Sequence, residues 1–172
     1  MDNLVSANLL LSEDKKATLD GRSAPLSFPA DRERFHALRK KSDLILIGGN
    51  TARNEPYQHT PLPLFVLSRH PMTELTANNQ FATILQCPLA QAIDLAKREY
   101  QRILIEAGPA LVTQGLSEKV IDILHLSISK KLGDLSAPSV ELSQSLTSYA
   151  LVSDEEVDGG RFLTYHLAPT KE

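Results

Sequence analysis

The segment from Asp43 to Pro56 (DLILIGGNTARNEP) constrains the fold of this chain more than any other. Its apolar run, Leu44–Ile47, is what we expect of a short strand buried on both faces. The Gly48–Gly49 pair follows, where the chain must turn and where the missing Cβ lets a ligand approach the backbone. Asn50 or Thr51 can then cap a helical turn whose free N–H groups attract an anion. This pattern predicts either a phosphate or dinucleotide site or a plain strand-to-helix turn.

A second segment repeats this arrangement. Arg102–Glu106 (RILIE) predicts another buried strand, and Ala107, Gly108 and Pro109 follow it into a helix. Pro109 suits a first helical position, because its missing N–H costs nothing there. Ligands of open α/β sheets gather at the carboxyl ends of parallel strands. The two glycine turns are therefore expected to hold the two halves of a pyrophosphate-linked cofactor, although neither is a GxGxxG fingerprint.

The remaining patterns predict an α/β protein. Strands and helices alternate at first, and Asp158-Gly159-Gly160, within an acidic turn expected from Asp154 to Gly160, signals a final hairpin. We therefore expect a three-layer α/β/α fold around a mostly parallel sheet with antiparallel C-terminal strands. Further predicted strands are 4–11, 64–68, 81–85, 120–129, 149–152 and 162–167, predicted helices are 30–41 and 88–100, and predicted loops are 22–29, 54–63 and 72–80.

Composition excludes several classes of function. The 172 residues suit one domain spanning 1–172, and a formal net charge of −3 offers no basic surface for nucleic acid. No apolar run approaches the roughly 20 residues that span a bilayer, and no secretory signal pattern opens the chain. Cys87 is the single cysteine, and no His or Cys cluster around it suggests a metal site. We therefore expect a cytoplasmic protein without nucleic-acid or membrane partners.

Three polar residues have both a structural and a functional interpretation. Asp20 is either a site carboxylate or a turn former, since Asp-Gly is a strong turn signal. Arg39 lies in the last turn of the helix predicted over 30–41, where a cation complements the helix dipole. His125 lies within a predicted strand, where packing or hydrogen bonding is the simpler explanation.

Five short blocks stand out by their order and spacing: residues 17–22, Leu38-Arg39 with 43–49, 51–56, 105–111, and 120–122 leading to His125. Together they resemble the reductase (C-terminal) domain of the bifunctional riboflavin-biosynthesis deaminase–reductase, within the dihydrofolate-reductase-like superfamily. The resemblance runs over nearly the whole chain. We expect no deaminase half, since no His-x-Glu with Pro-Cys-x-x-Cys occurs.

The resemblance implies a homodimeric reductase that takes a hydride from NADPH. The implied substrate is a phosphoribosylamino-pyrimidinedione whose ribosyl group becomes ribityl. Arg39 matches a substrate-binding arginine, Glu106 matches a strand-end acid that contacts substrate, and Asp20 and Glu106 are the carboxylates expected to handle a proton. The implied cofactor-binding residues are Lys16, Gly48, Gly49, Thr51, Glu55, Gly108, Pro109, Ala110 and Leu111.

The chain departs from the family pattern mainly on the substrate side. Ala107 and Ala110 replace a usual glycine and threonine. The loop 22–29 is shorter than in the family, and it has no clear counterpart of the serine and tryptophan that help to form the family's substrate site. An arginine usual beyond Pro56 is also not evident, with His59 or Arg69 as partial replacements. Three interpretations stay open: a pyrimidine reductase of riboflavin synthesis, a reductase of another small heterocycle such as a pterin, or a non-catalytic nucleotide-binding relative.

Overall fold

The computed structural model describes residues 3–169, in which eight strands form one sheet in the order β4-β3-β2-β5-β1-β6-β8-β7. The strands are β1 Leu4–Ser12, β2 Leu44–Gly48, β3 Leu64–Leu67, β4 Ala82–Leu85, β5 Arg102–Ile105, β6 Ile123–Ser129, β7 Tyr149–Val157 and β8 Gly160–Leu167. The helices are α1 Pro29–Lys40, α2 Gly49–Asn54, α3 Thr73–Asn78, α4 Leu89–Ala96 and α5 Pro109–Ser117. Within the described part of the chain, none of the helices combines the length and apolarity that crossing a membrane requires.

Strands β1 to β6 run parallel, and β8 and β7 continue the sheet in antiparallel pairing. Helices α4 and α5 cover one face, which we call the α5 face, and their apolar residues join those of the central strands in the larger core. The fully buried members of this core are Val5, Ala7, Leu44, Leu46, Ala92, Ala96, Ile103, Ile105, Val112, Ile121 and Leu124. The predicted mostly parallel, three-layer α/β/α fold is confirmed.

The opposite face, which we call the α1 face, carries a second core and a polar region. Ile45, Ile47, Leu64 and Val66 pack there against residues of α2 and α3. Over the strands nearer the antiparallel edge, α1 covers the sheet instead, and Arg34 of α1 donates to the backbone oxygen of Leu126 in β6. The sequence explains the difference, because β2 and β3 are continuously apolar whereas β1 and β6 alternate with polar residues.

Two predicted boundaries are wrong for physical reasons. Residues 72–80, expected as a loop, contain α3, a six-residue helix that buries only Leu75 and so has no apolar periodicity. The acidic residues expected in a turn from Asp154 lie in β7, which continues to Val157. Because β7 is an edge strand with neighbour β8 alone, its charged side chains stay in solvent, and Arg161 of β8 pairs with Asp154.

Candidate active site

The strand order creates a crevice at the carboxyl ends of β2 and β5, which are adjacent and parallel. The chain leaves β2 through α2 towards β3 on one side, and it leaves β5 through α5 towards β6 on the other. Such a reversal in an open α/β sheet is where ligands bind. The Gly48–Gly49 and Ala107–Gly108 turns border this crevice, so the two glycine turns predicted from the sequence do lie side by side.

A groove of about 710 Å³ opens from the crevice on the α5 face. Three strand ends contribute to it, together with the sides of α2, α4 and α5. Cationic or ionisable side chains concentrate on one side, where Arg53 follows β2 and Arg69 and His70 follow β3. Leu67, Leu85, Leu89 and Leu111 supply apolar walls. The groove therefore combines apolar surface for rings with positive charge for anions.

The turn before α5 leaves space for a ligand. A Cβ built on Gly108 would meet no heavy atom within 4 Å, whereas one on Gly48 would touch Leu111 at 3.7 Å. Ala107 is only 8% exposed, and its methyl group packs in the larger core on the α5 face and not in the crevice. The Ala107 departure from the family pattern therefore does not fill the turn.

A cluster of three polar side chains lies on the α1 face, on the opposite side of the sheet from the groove. Arg39 of α1 donates from Nε to Oε1 of Glu106 at 2.8 Å and from Nη2 to Oε2 at 2.7 Å. The Tyr57 hydroxyl donates to the same Oε2 at 2.8 Å. The guanidinium of Arg39 also stacks over the rings of Phe35, at 4.3 Å, and Tyr57, at 5.5 Å. Two expected substrate-side residues, Arg39 and Glu106, are thus one bidentate ion pair.

Burial determines the charge state of this cluster. Burial of the Tyr57 ring, and then the carboxylate of Glu106, raise the pKa of the phenol well above its usual value of 10. Desolvation opposes the charge of Arg39, but its bonds to Glu106 outweigh that cost and raise the pKa of the guanidinium. Tyr57 is therefore a fixed donor and Arg39 a fixed cation. Glu106 accepts all three hydrogen bonds of the cluster, which hold its carboxylate in one orientation.

The other expected site residues are distributed around the crevice. Thr51 lies half-buried in α2, and Glu55, just after α2, accepts bonds from the backbone and hydroxyl of Ser23 at 3.1 and 2.7 Å. Lys16 donates through its ammonium group to the carbonyl of Ala137. Pro109, Ala110 and Leu111 form the first turn of α5.

Asp20 lies apart from these residues in an exposed two-residue hairpin turn. Its φ of 53° and that of Gly21, 72°, are both left-handed, and Leu19 and Arg22 pair across the turn. The carboxylate of Asp134 accepts the backbone N–H groups of Asp20 and Gly21. Asp20 thus has the turn-forming role that its sequence context indicates, and its proposed part in proton transfer stays a prediction.

Sequence reasoning missed Tyr57, Arg53 and His70. Tyr57 follows Pro56 in a loop without periodicity and is only 6% exposed. A lone aromatic residue among prolines was the only feature of the sequence that could have indicated its burial. The cations of the groove come together only because β2 and β3 end side by side.

Comparison with known proteins decides the family. A family model described as the RibD C-terminal domain matches residues 5–157. The chain belongs to the RibD C-terminal domain family. It is a reductase of the riboflavin-biosynthesis type, as the sequence blocks predicted. No curated protein matches the chain by sequence.

Solved structures share the fold. A pyrimidine reductase-like protein from Corynebacterium diphtheriae is 22% identical with a TM-score of 0.73, covering 97% of this chain and 92% of that one. RibD from Acinetobacter baumannii is 18% identical with a TM-score of 0.76, and the match covers 98% of this chain and 59% of RibD. Dihydrofolate reductase from Enterococcus faecalis, solved with NADP(H), is 15% identical with a TM-score of 0.73 over 95% of both chains. The dihydrofolate-reductase-like fold is therefore confirmed.

Proposed function

We propose that this chain is an NADPH-dependent reductase of riboflavin biosynthesis that reduces the ribosyl group of a phosphoribosylamino-pyrimidinedione to ribityl. The observation that carries the proposal is the crevice between β2 and β5. The groove leads to it from the α5 face, and the Arg39–Glu106–Tyr57 cluster borders it on the α1 face. A cofactor in the groove and a substrate beside the cluster would meet at the crevice.

The residues of the groove fit a nicotinamide dinucleotide. Arg53, Arg69 and His70 would face its phosphates, and the N–H groups of Ala110 and Leu111, at the start of α5, have no partner within the helix. The open space at Gly108 allows the cofactor to lie against the backbone. The bound cofactor supplies the hydride, so the protein has mainly to orient the two ligands and exclude water.

Further residues complete the proposed cofactor site. Gly48, Gly49 and Thr51 would border the cofactor on the α2 side of the crevice. Glu55 would act there by holding the loop that contains Ser23 against α2. Lys16, which is bonded to Ala137, would steady the segment that follows β1.

On the substrate side, Arg39 keeps donors for a ligand. Its Nε and Nη2 bind Glu106, and Nη1 has no hydrogen-bond partner among residues 3–169, so Nη1 would bind a phosphate or carbonyl oxygen of the substrate. Glu106 would handle a proton when substrate displaces Tyr57 or Arg39 from one carboxylate oxygen. For Asp20, the same role rests on the family resemblance alone.

The deciding experiment titrates the full chain with NADPH and NADH, and then offers acceptors to the complex that forms. We expect NADPH to bind at least about tenfold more tightly, because its additional phosphate gains a charge-assisted hydrogen bond from a groove cation. Oxidation of NADPH by the phosphoribosylamino-pyrimidinedione, and not by dihydropterin or dihydrofolate, would establish the substrate class. Binding of neither nucleotide would overturn the proposal in favour of a non-catalytic relative.

We propose in addition that the chain is cytoplasmic and acts as a homodimer. Leu151 and Val152 on the edge strand β7 are 48% and 53% exposed, which supports an apolar contact surface there. Sedimentation equilibrium of wild type against the double variant Leu151→Lys, Val152→Lys tests this, since a β7 contact would dissociate. A wild-type monomer would contradict it.

A further inference from the structure

A row of polar residues crosses the α1 face, next to the Arg39–Glu106–Tyr57 cluster. Asn8 of β1 pairs with His125 of β6, and His125 pairs with Thr164 of β8, so the three side chains project from one face. On the other side of β1, Ala7 pairs with Ile105 of β5, which places Asn8 beside Glu106 one residue further on. The row therefore runs Glu106, Asn8, His125, Thr164.

Helix α1 contacts both ends of this row through an arginine. Arg39 pairs with Glu106, and Arg34 donates from Nη2 to Nδ1 of His125 at 3.3 Å and to the hydroxyl of Thr164 at 3.1 Å. Burial, followed by the charge of Arg34, lowers the pKa of His125 to about 4, so the ring is neutral at pH 7 and carries its proton on Nε2. Asn8 lies between a neutralised ion pair and a neutral imidazole.

Asn8 itself is left unsatisfied. Among residues 3–169, two buried side-chain oxygens have no hydrogen-bond partner, Oδ1 of Asn8 and Oγ of Ser127. An unpaired buried polar group destabilises the folded state, so each such group requires an explanation. The two residues differ in access, because Ser127 is 0% exposed whereas Asn8 as a whole is partly exposed.

We propose that Asn8 is a specificity-determining residue that binds the uncharged amide edge of a ring ligand in the crevice. Its carboxamide offers one acceptor and two donors and can rotate about its terminal torsion, which matches a neighbouring N–H and C=O on the ligand. The inference rests on the proposed function, in which two ligands carry such an edge: the pyrimidinedione of the substrate and the nicotinamide carboxamide of the cofactor.

The test replaces Asn8 with leucine, an apolar residue of nearly the same shape. Removing an unsatisfied amide should leave the midpoint of urea unfolding unchanged or raised, while binding weakens about tenfold, the loss of one good hydrogen bond. The dissociation constant for NADPH, measured without acceptor, reports the cofactor arm. The KM for the pyrimidine, at unchanged kcat, reports the substrate arm. Weakening in either arm supports the inference and identifies which edge Asn8 binds.

Ser127→Ala is the matched control, because it removes the other unpaired oxygen from a fully enclosed position. We expect it to leave both binding constants within twofold and to preserve stability. Asn8→Ala replaces the leucine variant if that variant does not fold. Binding constants of the Asn8 variant within twofold of wild type, or a loss of stability without a loss of binding, would overturn the inference.

A last arm separates this inference from the proposed function. Wild type and the Asn8 variant are each titrated with free uracil and free nicotinamide, followed by ligand-observed NMR. If wild type binds no NADPH, the proposed function fails, and the titrations with uracil and nicotinamide then test the inference about Asn8 by themselves. Binding of a ring probe that weakens in the variant supports the inference, whereas equal signals, or none, overturn it.

Discussion

At the scale of single residues, the ion pair of Arg39 with Glu106 dominates the candidate site. Its side chains are 20% and 3% exposed, so water compensates little for the loss of either partner. Arg39→Ala leaves the carboxylate of Glu106 buried with Tyr57 as its remaining donor. We expect the free energy of unfolding to fall by about 3–5 kcal/mol, measured by urea denaturation.

The pair of Arg102 with Asp43 provides the matched control. It has the same bidentate chemistry, but its side chains are 57% and 31% exposed. Arg102→Ala should therefore lower the free energy of unfolding far less than Arg39→Ala does, since solvent screens an exposed pair. Equal losses in the two variants would show that burial does not distinguish the pairs.

His125 gives the stability of the protein a dependence on pH. The pKa of the folded-state imidazole, about 4, lies below its ordinary 6.5, so the folded protein binds fewer protons than the unfolded chain in that range. The contribution is therefore fully present above pH 6.5 and lost as pH falls towards 4. Between about pH 7 and pH 4.5 we expect a loss of roughly 2 kcal/mol, allowing for the part of the ring that faces solvent.

The measurement compares urea unfolding of wild type and His125→Gln at these two pH values. Glutamine keeps an acceptor for Arg34 but does not titrate, so the variant should lose about 2 kcal/mol less than wild type on acidification. His59→Gln, at an exposed position, should behave as wild type. An unchanged pH dependence in His125→Gln would contradict the assignment.

At the scale of elements, the turn from β5 into α5 is a place where a substitution should weaken cofactor binding without lowering the stability of the fold. Gly108 has a φ of −64°, which any residue adopts, and a Cβ there would meet open space. Gly108→Ala should therefore keep the melting temperature of the free protein while weakening NADPH at least about tenfold, because the methyl would occupy cofactor space. Calorimetry and a fluorescence titration measure the two effects.

Gly115 within α5 is the contrasting position. A Cβ there would lie 2.7 Å from Cδ1 of Ile121 and 3.2 Å from Cδ2 of Leu89, so Gly115→Ala should lower the melting temperature. Its effect on NADPH affinity should be smaller than that of Gly108→Ala, since the closest contact, Ile121, lies in the core and does not line the groove. If Gly108→Ala binds NADPH as wild type does, the cofactor does not approach that turn.

The elements that the sequence predicted well are those with an uninterrupted apolar signal. The runs Leu44–Ile47 and Ile103–Ile105 are fully buried, and so β2 and β5 were recognisable together with their glycine turns. The short α3 and the acidic half of β7 carried no such signal. Helix α3 buries only Leu75, and the acidic half of β7 buries no residue. Local pattern thus predicts elements that contain an apolar run and misses those whose side chains lie mostly in solvent.

At the scale of the whole molecule, the site depends on contacts between residues far apart in the chain. Arg39, Tyr57 and Glu106 meet because β5 inserts between β1 and β2, an order that no local pattern specifies. The family resemblance supplied two of the three, and Tyr57 lay outside it. Asn8 and His125 likewise become neighbours only through the parallel register of β1 and β6.

The architecture predicts how a bound cofactor would distribute stability. NADPH at a hundredfold excess over its dissociation constant should stabilise the folded chain by about 2.7 kcal/mol, since it binds the native state alone.

Because the crevice joins β2 and β5, amide exchange should slow at both Gly48–Gly49 and Gly108, which are far apart in sequence, and along Ser68–His70. The β7–β8 hairpin at the opposite end of the sheet should show much weaker protection. Hydrogen exchange with mass spectrometry measures this, with NADH at the same concentration as control. Protection of one turn without the other would place the cofactor outside the crevice.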